Sequence, residues 1–254
     1  MCKSDFFEFR RFSLYFHKLF VERLRMNLMR FFLLLGLLFI VIFWMGSTTY
    51  VKYLDGDSWQ TTDPIWSVEA AFAAFLFFVG GCYSASLMWI DLGRKPERIF
   101  VLTTPVTTFE SWLTRWLLYV PGYMIVFLLS FYAVDALRVC VFSAISPVSC
   151  HIGLLPLCGN GGFMNMEIIR AYLVFTSFFV LGGSFFPRRP LLSTAIALFV
   201  IGLLGGCSTA SFIVFAADMD FSSKIMNAYL WLLPLLCWAL SYWRYWEMEI
   251  IDRL

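Results

Sequence analysis

The chain has 254 residues, of which 61% are hydrophobic and only 14% charged, with a formal net charge of +2. Soluble domains carry about 25% charged residues, so this composition excludes an ordinary water-soluble globule and points to an integral membrane protein. The basic residues are few and scattered among apolar runs, which excludes a nucleic-acid partner.

Residues 1–30 form the first expected region, an amphipathic helix over 4–30 lying on the membrane surface. Asp5 and Glu8 are placed to cap its start. At 100° per residue Arg11, Lys18, Glu22 and Arg25 share one side, with Phe6, Phe9, Phe16, Phe20 and Leu24 opposite. A basic face backed by bulky aromatics is the composition of an interfacial helix drawn to anionic headgroups. The first long apolar run begins only at Phe31, which does not fit a cleavable signal peptide, so the first span is expected to be retained.

The remaining region, 31–254, is expected to be a six-span transmembrane domain, giving an all-α integral membrane fold. The spacing between charges marks the spans as 31–51, 70–90, 116–134, 171–187, 190–217 and 225–243. Each is long enough to cross a hydrocarbon core about 30 Å thick, the fourth only just. Pro187, Arg188, Arg189 and Pro190 break what would otherwise be one long apolar run into the fourth and fifth spans. Pro121 and Pro234 are expected to kink the third and sixth.

Six spans place both termini on one side. Of the 19 basic residues, 15 fall on the side of the termini and 4 (Lys52, Arg138, Arg170, Lys224) on the other, so the termini are expected to be cytoplasmic. Trp89, Trp112, Trp116, Trp243 and Trp246 would line the inner interface, with Trp59 and Trp66 at the outer one. Small residues mark expected close helix contacts: Gly81 with Ala85 in the second span, and Gly202, Gly206 and Ala210 in the fifth.

Ionisable residues near the spans are read as boundary features. Glu69 falls about one turn into its helix if Asp63 caps it and Pro64 opens it, which places its carboxylate at headgroup depth. Asp135 and Arg138 have the i,i+3 spacing of a local pair where the third span emerges. No acidic residue or histidine is expected at mid-span, which weighs against a proton-coupled carrier. The outer loop from Asp135 to Glu167 holds Cys140, Cys150, Cys158 and His151; one disulfide is allowed there without the spacing choosing a pair. Neither a metal site nor any other cofactor is expected. Without HExxH, G-x-S-x-G or a P-loop, the chain is not read as an enzyme, and any work it does must draw energy from a partner or a gradient.

The polar stretch 91–116, DLGRKPERIFVLTTPVTTFESWLTRW, joins the second and third spans. Arg94, Lys95 and Arg98 keep it out of hydrocarbon. Pro105 interrupts helix, and Thr107 with Glu110 has capping-box spacing, so a new helix is predicted from about Thr108 into Trp116. Leu102, Pro105, Thr107 and Glu110 in this elbow form a Leu-x-x-Pro-x-Ser/Thr-x-x-Glu pattern that resembles small bacterial membrane proteins related to ABC-2 type transporter permeases. The layout of surface helix, six spans and cytoplasmic elbow is similar as well. Ser111 stands where a basic residue often follows the glutamate, and the cysteine-bearing loop departs from the family's pattern.

The resemblance implies a permease subunit of an exporter in a bacterial inner membrane. It would act as a homodimer or beside a related permease and be driven in trans by a cytoplasmic ABC ATPase. The elbow would then be the coupling element, with Phe109 and Trp112 as aromatic anchors. The competing expectation is a non-transporting membrane protein, such as an assembly factor or a sensor partner, in which the elbow's charges only set topology.

Overall fold

The computed structural model describes residues 7–51, 63–93, 99, 101, 104–145, 152–156, 163–187, 189–201 and 220–251. Leu102, Gly202, Gly206, Ala210, Cys150, Cys158 and His151 lie outside these described residues, as do Arg94, Lys95 and Arg98.

Among the described residues the regular structure is helical. In chain order it comprises α1 (Phe9–Glu22), α2 (Leu24–Tyr50), α3 (Trp66–Leu87), a short 3₁₀ turn (Ile90–Gly93), α4 (Thr108–Tyr119), α5 (Pro121–Ile145), α6 (Met166–Phe185), α7 (Pro190–Ile201) and α8 (Asp220–Ile251). Four stretches are long and apolar enough to cross a membrane: α2, α3, the run Thr108–Ala144 and α6. Their outward surfaces are greasy along their length, with Phe32, Ile40 and Trp44 on α2, Phe75 on α3, Leu129 on α5 and Phe175 on α6 all exposed. A soluble monomer does not tolerate apolar surface on this scale, whereas lipid does. The protein is a membrane protein.

Several boundaries differ from the charge-spacing expectation, each for a local reason. Residues 24–30 join α2 instead of the surface helix, because Leu, Arg and Met are good helix formers and nothing after Arg23 stops the turn. Pro121 ends one helix and opens the next, with Val120 between α4 and α5, as suits a residue that lacks an N–H and is tolerated at a first helical position. Pro190 likewise opens α7, so the Pro187–Pro190 break separates α6 from α7. Pro234, by contrast, lies inside the continuous α8.

The chain divides into two compact units. The first comprises Met1–His17, Gly80–Val120 and Glu167–Leu254. In it α3 and α6 approach closely: a Cβ added to Gly81 would lie 2.4 Å from the Tyr172 ring, while Tyr172 donates to the Val120 carbonyl at 2.8 Å. Ala85, one turn beyond Gly81, is fully buried. A second close approach joins α6 and α7, where a Cβ on Gly182 would fall 2.3 Å from the Thr194 side chain. Trp89 is also buried here and donates to the Val180 carbonyl at 2.7 Å.

The second unit comprises Lys18–Val79 and Pro121–Met166. Its α2 and α5 meet where Gly46 leaves room for the Phe142 ring, which also lies 4.9 Å from the Tyr50 ring. Phe77, Phe127, Phe131 and Phe163 form a column, with Phe77 5.2 Å from Phe127 and Phe131 5.3 Å from Phe163. In lipid, helix association draws on such contacts and on small-residue approaches, since burying apolar surface against apolar tails gains little.

Candidate functional site

The elbow helix α4 is built by its own first four residues. Thr107 has extended geometry and its hydroxyl accepts from the Glu110 N–H at 3.3 Å, while the Glu110 carboxylate accepts from the Thr107 N–H at 3.3 Å. This reciprocal capping box satisfies two N–H groups that the helix leaves open, and it starts α4 at Thr108. Pro105, just before it, is exposed.

Glu110 does more than cap. Its side chain is fully buried and accepts two hydrogen bonds from Arg11, from Nε at 2.7 Å and from Nη2 at 2.8 Å, together with the Glu8 N–H at 2.8 Å. The planar guanidinium fork fits the carboxylate at both oxygens, which is the strong geometry for such a pair. Arg11 therefore lies on the packed side of α1, and its expected place on the wet face is corrected: a charge on a helix facing a buried carboxylate is worth more there than in water. Phe9 is exposed.

The rest of α4 is packed as well. Phe109 lies 6.4 Å from Phe7 and 6.0 Å from Tyr242, ring to ring. Trp112 is 8% exposed and donates from its indole to the Ser241 hydroxyl at 3.3 Å. Ser111 Oγ lies 3.2 Å from the Tyr15 hydroxyl and 3.0 Å from that of Tyr245. Ser241, Tyr242 and Tyr245 recur on one stripe of α8, so this face of α8 is matched to α4. Arg115, also on α4, is fully buried beside the hydroxyls of Tyr15, Tyr119 and Tyr245. The tryptophans expected to mark the inner interface thus divide: Trp89 and Trp112 serve the interior of their unit, whereas Trp243 and Trp246 are exposed.

The second unit contains a charge cluster of another kind. Asp63, Glu69, Asp135 and Arg138 are each at most 4% exposed. Arg138 pairs with Asp135 at i,i+3, as its spacing predicts, and the pair is buried. Its guanidinium also meets Asp63 at 3.0 Å and Glu69 at 3.4 Å. Tyr50 donates to Asp63 at 2.9 Å and accepts from Arg138. Asp63 further accepts from the N–H groups of Ile65 and Gly153, and Asp135 from that of Leu155.

Glu69 falls in the first turn of α3, as its spacing predicts, but its side chain is buried within the unit. Asp63 does bond the chain just ahead of α3, but α3 begins at Trp66 and buries Glu69 beside Arg138. The sequence signal was present in three acids and one arginine flanking two apolar helices. It was not decisive, because residues up to 75 positions apart had to be paired.

Cys140 is an exposed free thiol, and Cys82 and Cys237 are free thiols within helices. Among the described residues no group of three His, Cys, Asp or Glu side chains is arranged to hold a metal ion. No family model, curated protein or solved structure matches the chain.

Proposed function

We propose that the chain is the membrane-spanning permease subunit of an ABC-2 type exporter, energised by a separate cytoplasmic ATPase that acts on the elbow. The observation that carries this reading is the double fixing of α4: a capping box sets its start, and the Arg11–Glu110 clamp fastens it to α1. A segment that merely set topology would need its basic residues but not a buried, bidentate attachment. A capped helix seated against α8 passes a push at its start to the helices it touches.

The placement of the aromatics alters where the partner binds. Phe109 and Trp112 already fill intramolecular contacts, so their part in coupling is to seat α4, while the exposed Pro105 end of the elbow is the part open to an ATPase. In this reading the spans number six, α1 lies at the inner interface, both termini are cytoplasmic, and two permease subunits form the membrane path of the inner membrane.

The test is to find whether an ABC ATPase is encoded beside the chain, co-express the two, and reconstitute both in vesicles. The parent should co-purify with the ATPase and raise its ATP turnover, and Glu110→Gln should keep membrane insertion while lowering that stimulation several-fold. If the parent binds no ATPase, the reading gives way to a non-transporting assembly or sensor-partner protein. Orientation is checked separately with single cysteines at Ser4, Thr104 and Asn160 in a background lacking exposed native cysteines. An impermeant thiol reagent on intact cells should label position 160 alone.

A further inference from the structure

We infer that Glu69, held against Asp135 and Arg138, is a proton-binding site, and that the proton it takes from water latches the start of α3 to α5. The inference is independent of the permease reading.

Arg138 has five N–H groups. Nε donates to Asp135 Oδ1 at 2.9 Å, Nη1 donates to Asp63 Oδ2 at 3.0 Å and to the Tyr50 hydroxyl, and Nη2 donates to Asp135 Oδ1 at 2.6 Å and to the Gly153 carbonyl at 3.0 Å. All five are committed elsewhere. Glu69 sits 3.4 Å from Nη2, yet neither of its carboxyl oxygens has a hydrogen-bond partner, although the side chain is 1% exposed.

The other two acids are well supplied. Asp63 receives the Tyr50 hydroxyl, the Arg138 guanidinium and two backbone N–H groups; Asp135 receives Arg138 and the Leu155 N–H. Both are thereby satisfied as acceptors. Glu69 is not, and its Oε2 and Asp135 Oδ1 approach the same Arg138 Nη2 atom, at 3.4 Å and 2.6 Å, so the two carboxyls crowd one nitrogen. Two ionised carboxylates are acceptors only and repel at that range, so the donor missing between them is a proton. With the proton on Glu69, the carboxyl group donates to Asp135, and the net charge of the cluster falls from −2 to −1.

The groups facing Glu69 are thus Asp135 and Arg138 from α5, Asp63 from the segment before α3 and Tyr50 from the end of α2; residues 152–156 add backbone groups of Gly153 and Leu155. A metal ion fits the same position poorly, because a guanidinium 3.4 Å away repels it. A proton shared between two carboxyls needs no added volume and no further ligand. Its loss leaves two bare carboxylates facing each other across the α3 and α5 contact.

The experiment is infrared spectroscopy of the full chain in lipid vesicles, titrated with acid and base in H₂O and D₂O. The parent should show at neutral pH the carbonyl stretch of a protonated carboxyl group, shifted by deuterium and lost on alkalinisation. Glu69→Gln should lack the band, and Asp135→Asn, which removes the repelling charge, should lose it at lower pH than the parent. Labelling glutamate carboxyls with ¹³C in the unmutated chain assigns the band even where a variant fails to fold. Absence of the band from the parent at neutral pH, its insensitivity to glutamate labelling, or its persistence in folded Glu69→Gln would overturn the inference. Displacement of the band by Na⁺ or K⁺ at fixed pH would overturn it in favour of a metal-cation site.

Discussion

Two arginines are buried to the same depth and are treated in opposite ways. Arg138 is ringed by carboxylates, a tyrosine and a carbonyl, with every N–H engaged, whereas Arg115 has no carboxylate beside it, makes no hydrogen bond of good geometry, and has only the hydroxyls of Tyr15, Tyr119 and Tyr245 as polar neighbours. Burial by itself therefore says little about what a charge contributes. The number of acceptors decides whether a guanidinium holds its surroundings together or is carried at a cost.

The sharpest way to test that contrast is to remove Arg138. Arg138→Leu would leave three acids facing one another with no cation among them, and breaking a buried pair in this way costs about 3 to 5 kcal/mol. Unfolding in detergent should show a loss of that size, or no folded protein at all. A change below about 1 kcal/mol would mean that the cluster rearranges or admits water freely.

The Arg11–Glu110 clamp stands between the two extremes, since Glu110 is fully buried while the Arg11 side chain is 30% exposed. Glu110→Ala removes half of the capping box and both guanidinium bonds, but Arg11 regains water, which discounts the ionic part. A loss of about 2 kcal/mol is expected, with roughly half of it from the cap. A double-mutant cycle with Arg11→Ala isolates the ionic share. A coupling indistinguishable from zero would show that the cap alone fixes α4 and would remove the clamp from the mechanism.

Legibility followed sequence distance. The Thr107–Glu110 box and the Asp135–Arg138 pair lie within one helical turn, and local spacing is enough to read them. The partners that give those residues their roles are far away in the chain: Arg11 is 99 residues from Glu110, and Asp63 is 75 from Arg138. Charge spacing found the four apolar stretches long enough to span and the Pro187–Pro190 break, but it could not tell a wet end from a buried one. Spacing therefore does not show that Glu69, Trp89 and Trp112 turn into the interior of their units. Gly81 was visible in the small-residue pattern, whereas Gly182, pressed against Thr194 across the short α6 and α7 connection, stood next to a second glycine and carried no register of its own.

Replacing Arg115 tests the other half of the contrast and has the smallest expected effect, with opposite sign. Methionine has a flexible, unbranched side chain of comparable reach and needs no acceptor, so Arg115→Met fills much of the same space without a buried cation. Substituting a poorly supplied buried charge with an apolar side chain is neutral to stabilising, and a gain of up to about 1 kcal/mol is expected here. The tyrosine hydroxyls limit the gain, because they lose a favourable cation beside their oxygens. Ser111 still lies within reach of Tyr15 and Tyr245 after the change. Thermal unfolding of Arg115→Met beside the parent checks the sign. A loss above about 1 kcal/mol would show that the guanidinium, despite its missing hydrogen bonds, binds the tyrosines to α4 and is a second keystone. If the proposed ATPase partner is found, a stable variant that fails to stimulate it would instead place Arg115 in coupling, with its unfavourable burial retained for function.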